Sequence, residues 1–236
     1  MSSPDDATMG LVVAIRTGDV QALGQILSEH PGLASGPLRG PLGTRTALHV
    51  VTDWPGYFPN GPQIVGVLIE AGADPNGRSP GDETPLHWAA SSDDVDVAAA
   101  LIDGGADLEA SDGSIGTPLD NAVGYACWHV ARHLVARGAR VDQPWHAAAL
   151  GLLSRLEELL GDRPSPAEVS KAFWHACAGG QRRAAEHLLG RGADLNWIPD
   201  YATGSPLDAA SGRGTRRENV IIWLRDLGAR PADADQ

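Results

Sequence analysis

At 236 residues, 42% of them hydrophobic, the chain is long enough to bury a sizeable core in one or two ordinary domains. A net charge of −12 argues against nonspecific binding to nucleic acid or to an anionic lipid surface. No apolar run is long enough to span a membrane, and MSSPDDATMG lacks the basic-then-apolar pattern of a secretory signal, so a soluble, cytoplasmic protein is expected.

Two cysteines, Cys127 and Cys177, stand 50 residues apart with no CxxC and fit a reducing compartment, as small core residues. Among the 18 basic residues only Lys171 is a lysine, a bias that suggests the GC-rich coding of a high-GC bacterium.

In chain order, the segment Leu11–Glu29 (LVVAIRTGDVQALGQILSE) reads as a helix pair without a threonine-led opening. The next unit opens with TALHVV at Thr46 and closes with LIEAGADPN at Asn76. TPLHWAASS at Thr84 and TPLDNAVGY at Thr117 open two more, 33 residues apart. Trp145–Leu160 (WHAAALGLLSRLEELL) repeats the pair directly after Asp142, so the connection that precedes the other pairs is missing or truncated. Two further units open with KAFWHACAGG at Lys171 and SPLDAA at Ser205, the last closing its core with Ile221, Ile222, Trp223 and Leu224.

Each unit has a physical logic. Thr84 and Thr117 are N-caps, and Pro85 and Pro118 occupy a first turn that needs no N–H. A second helix buries Leu68/Ile69, Leu101/Ile102, Leu134/Val135 or Leu188/Leu189. It then stops at Gly72, Gly105, Gly138 or Gly192, placed for a left-handed C-cap. One helix pair cannot bury its own apolar face, so the units must stack.

The period near 33, the TPLHxAA opening and the GAD-x-N closing closely resemble the ankyrin repeat family, from about Leu11 to Arg230. That resemblance implies an all-α ankyrin-repeat solenoid of about seven helix-turn-helix repeats with hairpin fingers, in a single domain over 1–236. The N-terminal cap falls at about 8–37, repeats at about 40–80, 81–113, 114–142, 143–166 and 167–200, and the C-terminal cap at about 201–231. It also implies that the TPLH histidines His49 and His87 tie adjacent repeats, with Trp145 and Trp174 packing at the equivalent places. The following residue points into a concave groove: Val13, Val50, Trp88, Asn121, His146, His175 and Ala209.

Three departures mark candidate sites. Trp88 puts an indole in the groove row. The turn TDWPGYFPNGP is about five residues longer than its counterpart and carries Asp53, Trp54, Tyr57 and Phe58. It either walls the groove beside Trp88 or folds back on its own hydrophobes. The finger NWIPDYATGSP carries Trp197, Asp200 and Tyr201, which anchor a partner or pack on the preceding finger. His129, His133 and His187 face solvent or neighbouring repeats.

The function expected is non-catalytic protein recognition through groove and fingers. Asp53, Trp54, Tyr57, Trp88, Asn121, Tyr125, His146, His175, Trp197 and Tyr201 are its candidate contacts. Asp53, Asp93, Asp94 and Asp96 would favour a basic partner segment, with Arg213, Arg216 and Arg217 polarising the other end. The alternative is a small-molecule-binding or acid–base enzyme in which His146, His175 and Asp53 titrate beside Trp54 and Trp88. No metal site and no cofactor is expected, since no third ligand stands with His146 and His175 and no phosphate-binding loop appears.

Overall fold

The computed structural model describes residues 4–40, 43–79, 81–212 and 217–232, which fall into two compact units, 1–139 and 140–236. The boundary lies in the connection where the sequence lacks a finger.

In the first unit the helices are α1 (Pro4–Thr17), α2 (Val20–Glu29), α3 (Gly32–Ser35), α4 (Ala47–Val51), α5 (Gly61–Glu70), α6 (Pro85–Ser92), α7 (Val95–Asp103), α8 (Pro118–Gly124) and α9 (Trp128–Ala136). A hairpin of β1 (Leu38–Gly40) and β2 (Gly43–Arg45) pairs Leu38 with Arg45 and Arg39 with Thr44. First helices α1, α4, α6 and α8 pack in one row, and second helices α2, α5, α7 and α9 in another. Leu48, Leu68, Leu86, Leu101, Leu119 and Leu134 are fully or almost fully buried between the rows.

The second unit holds α10 (Pro144–Leu150), α11 (Leu153–Leu160), α12 (Pro166–Ala178), α13 (Arg182–Gly190), α14 (Pro206–Ser211) and α15 (Glu218–Asp226). Its core gathers Leu156, Phe173, Cys177, Leu188, Val220 and Leu224. Helix α12 starts five residues before the expected Lys171, because Ser165 and Glu168 form a capping box that extends it by a turn. The closing helix also differs from expectation: Val220 and Leu224 are buried, while Ile222 is 58% exposed on the opposite side of the turn.

The repeat signals act as the sequence indicates. Gly72, Gly105, Gly138 and Gly192 all have φ between 92 and 102°, with open space where a Cβ would stand. The asparagine of GAD-x-N joins one repeat to the next. Asn76 Nδ2 donates to Gly105 O (3.0 Å) and its Oδ1 accepts from Asp107 N (2.7 Å), and Asn196 Oδ1 accepts from Arg230 N (2.8 Å).

The TPLH histidines are also ties. His49 Nε2 lies 3.0 Å from Glu83 O and His87 Nε2 2.9 Å from Gly116 O, each the carbonyl just before the next N-cap. Nδ1 of each ring lies 2.8 Å from its own threonine hydroxyl. Burial lowers the pKa of both rings, that of His49 to about 4. In the second unit Trp174 replaces this histidine and keeps its bond, Nε1 donating to Gly204 O (2.9 Å), again just before the N-cap Ser205.

Candidate functional site

The long turn after α4 does not fold back on itself. Tyr57 N donates to Asp94 Oδ2 (2.7 Å) and the Tyr57 hydroxyl to Asp93 O, both in the following repeat. Asn60 Nδ2 donates to Gly18 O (2.9 Å) in the preceding one. Asp53 Oδ2 accepts from Arg16 (2.9 Å) and Arg45 (2.7 Å). The segment is thereby pinned on both sides, and Trp54 is left 82% exposed on a fixed backbone.

Beside this turn opens a cleft of about 250 Å³, lined by Thr52, Asp53, Trp54, Glu83, Trp88, Ser91, Ser92, Ser114 and Tyr125. Four of the expected contacts, Asp53, Trp54, Trp88 and Tyr125, thus come together within the first unit. Trp88 is half-buried, with the edge of His49 against it at 4.9 Å and Nε1 donating to Glu83 Oε2 (2.9 Å). Tyr125, the C-cap of α8, is 54% exposed.

Glu83 is the residue that sequence reasoning missed. Its Oε1 accepts from Ser114 N (3.3 Å), Ser114 Oγ (2.7 Å) and Asn121 Nδ2 (3.0 Å), beside the Trp88 bond on Oε2. Burial works to raise its pKa, but the bonds from Ser114 and Asn121 outweigh burial and hold it below the usual carboxylate value. The signal in the sequence was faint: an acid just before a TPLH threonine, with its partners one repeat later.

Several expected contacts have other work. Asn121 is fully buried and does not line the cleft; it braces Glu83 and Ser91. Asp93 accepts from His129 N and Val130 N (both 3.0 Å) and from His129 Nδ1 (2.7 Å), so it caps α9 of the next repeat. Asp94 caps α7 through Val97 N (3.2 Å) and is 2% exposed. Of the acidic turn only Asp96 is exposed, Asp93 and Asp94 being engaged in caps, and the carboxylates that line the cleft are Glu83 and Asp53.

The two-sided role of Asp93 makes it a stability determinant. Asp93→Ala is expected to cost about 2 kcal/mol, from a lost cap and an alanine forced to positive φ (58° here). Asp93→Asn should retain most of that, since asparagine tolerates the left-handed backbone and keeps an acceptor. Denaturant unfolding of both variants tests this.

In the second unit His146 and His175 are 1% and 4% exposed rather than open to a groove. Large neighbours cover them: Trp145 stands 4.1 Å from the His146 ring and 4.8 Å from His175, with Trp174 at 4.9 Å from His175. His175 Nε2 is hydrogen-bonded to the Tyr201 hydroxyl (3.0 Å), so this finger tyrosine, 56% exposed, also fastens the finger. Burial, then Lys171 and His146, lowers the His175 pKa to about 3, which unfits it for proton transfer near neutrality. Trp197 is half-buried on the same finger. Asp53 belongs to the first unit and is held by two arginines, so the proposed acid–base set has no member that is both open and unengaged.

Arg213 and Arg216 lie outside the described residues, and Arg217 is 4% exposed, with burial lowering its pKa. Cys127 and Cys177 are buried free thiols whose pKa values burial raises, that of Cys127 to about 11. Among the described residues no three His, Cys, Asp or Glu come together as a metal site, and no helix is long and apolar enough to cross a membrane.

Comparison with known proteins bears on these stacked helix pairs. Residues 57–144 match the family model described as ankyrin repeats, in three copies. The chain is 43% identical over 49 residues to protein fem-1 homolog C of Danio rerio, 21% of this chain and 8% of that protein. It is 39% identical over 75 residues to protein fem-1 homolog A of Bos taurus, 28% and 11% respectively, so it spans about a tenth of the length of these curated relatives.

Among solved structures, the ankyrin repeat domain of Bcl-3, a member of the IkappaB protein family, aligns with a TM-score of 0.53 at 24% identity. That alignment covers 92% of this chain and 97% of that one. The human ASB11 ankyrin repeat domain aligns with a TM-score of 0.54 at 19% identity, covering 94% and 98%. With capped helix pairs, histidine ties and these matches in agreement, residues 57–144 are ankyrin repeats and the chain has the fold of ankyrin repeat domains.

Proposed function

We propose that this chain is a non-catalytic recognition module that seats a segment of a partner protein in the cleft over Trp54 and Trp88. The observation that carries the reading is Trp54, an indole 82% exposed on a backbone fixed from both sides. Leaving it in water forgoes the free energy of burying an aromatic side chain, which a docked partner recovers, and a pre-set anchor loses little entropy on binding. A cleft of about 250 Å³ with an open side suits one or two side chains of a larger partner better than an enclosed small molecule.

Trp54→Ala tests this. The side chain contributes little to the core, so the melting temperature should stay unchanged. A partner isolated with the wild-type chain and then purified should bind the variant at least about thirtyfold more weakly, as loss of a central aromatic hot spot does. Equal affinity of the two forms for that partner would refute the assignment of the cleft.

A further inference from the structure

The hydrogen bonds around the cleft say what kind of group it can receive. Trp88 Nε1–H and the Ser114 hydroxyl both donate to Glu83. The hydroxyls of Thr52, Ser91 and Ser92 donate to Leu48 O (3.2 Å), His87 O (2.9 Å) and Trp88 O (3.1 Å). Five donors of the lining are therefore spent inside the protein, while four hydroxyl oxygens keep lone pairs to offer. An anionic group would meet those lone pairs, two indoles, a phenol and two carboxylates. A cation would meet favourable partners throughout: the ionised Glu83, the hydroxyl oxygens and the aromatic faces.

The lining residues include no basic side chain. Arg16 and Arg45 are bound to Asp53 at one edge, and Arg78 donates to the backbone carbonyls of Asp82 and Ser111. Glu83, at the other side of Trp88, has hydrogen-bond donors around it but no paired cation among the described residues.

The second unit shows what this chain does with a comparable arrangement. Its only lysine, Lys171, places Nζ 5.2 Å from the centroid of Trp145 and 5.6 Å from that of Tyr201. There the aromatic surface is filled from within, by an ammonium. In the first unit Trp54, Trp88 and Tyr125 are left for a ligand.

Lysine and arginine differ at this point. Glu83 already accepts four hydrogen bonds, three on Oε1 and one on Oε2, so Oε1 is saturated and only Oε2 keeps acceptor capacity. It has no free edge for the two parallel N–H bonds of a guanidinium. A compact ammonium needs no such edge: it takes the Glu83 field at short range and donates to the serine hydroxyls. We infer that the cleft receives the ammonium of a lysine side chain on the partner segment. This rests on the cleft being the recognition site.

The test uses the full chain and three short Gly/Ser peptides identical except for a central lysine, Nε-acetyl-lysine or arginine. The readout is the indole ¹H–¹⁵N cross-peaks of Trp54 and Trp88, assigned by single substitution to phenylalanine. The lysine peptide is expected to shift both peaks and to bind about tenfold more tightly than the acetyl-lysine peptide, which lacks the charge. It should also outbind the arginine peptide. Equal binding of acetyl-lysine, tighter binding of arginine, or no shift with lysine up to millimolar concentration overturns the inference. If the lysine peptide fails while a purified partner still depends on Trp54, recognition through the cleft stands and only the lysine assignment falls. Because the comparison changes the peptide and not the protein, its outcome does not depend on the folding of a variant.

Discussion

Gly179→Ala is expected to destabilise the second unit by about 3 kcal/mol, the upper end of what overpacking costs, because the clash is with backbone. Gly179 ends α12 in ordinary right-handed geometry (φ −78°), so the effect is not conformational strain. A Cβ there would overlap the carbonyl oxygen of Ala149 and stand 2.9 Å from its carbonyl carbon and 3.1 Å from its Cα. No rotamer change relieves such a contact, and α10 and α12 must move apart, opening the core around Ala147, Ala148 and Phe173. Gly190→Ala is the matched control. It ends α13 with nothing within 4 Å of a new Cβ, and should leave stability unchanged or raise it by up to about 1 kcal/mol. The denaturant midpoint should fall for Gly179→Ala and stay or rise for Gly190→Ala. An unchanged midpoint for Gly179→Ala would mean that the two backbones are not in contact.

The second large effect is loss of stability in mild acid. His49, His87 and His175 are buried and neutral, with pKa values lowered from 6.5, to about 4 for His49 and about 3 for His175. In the unfolded chain these rings take up protons below pH 6.5, whereas the folded chain does not until the lowered value is reached. The stability they confer is therefore complete above pH 6.5. It falls as the pH drops through that value, and for His49 the loss stops growing near pH 4.

Between pH 7 and 5 His49 and His175 should each remove about 2 kcal/mol, with His87 adding to the loss in the first unit. This window lies above the ordinary carboxylate range. Glu83 and Asp208, whose pKa values are lowered, act in the same direction only below their ordinary values of 4.5 and 3.8. The check is the slope of unfolding free energy against pH, with His49→Gln, which does not titrate, reducing the proton uptake by one. A flat profile between pH 7 and 5 would show the rings to be protonated in the folded state.

How much of this was legible in the sequence depends on the range of the interaction. The helix pairs, the threonine and serine caps, the glycine stops and the histidine ties are local or recur each period, and all were readable. Trp54, Trp88 and Tyr125 were singled out because exposed aromatics are costly wherever the chain places them, and the cleft unites them. What failed was the assumption that chemically active side chains in the groove row and on the turns beside it are free. Asp53, Asp93 and Asp94 answer to partners 3 to 37 residues away, most of them in a neighbouring repeat. His146 and His175 vanish under Trp145 and Trp174, since large rings at the tie position cover the smaller ring that follows. Glu83 escaped notice because its hydrogen bonds to Ser114 and Asn121 join residues 31 and 38 positions distant, off the repeat period.

The turn that carries Trp54 has a consequence for how the first unit breathes. In a stack of repeats each element is steadied only by its neighbours, and the pair α1–α2 packs against α4 and α5. Asn60 holds the end of α1 through Gly18, Asp53 holds Arg16, and the same turn hangs on Asp93 and Asp94 at its far side. A guest resting on Trp54 thus adds weight to the latch that keeps the first helix pair closed. On the proposed reading, occupancy of the cleft and opening of α1–α2 are coupled, each discouraging the other by the same free energy.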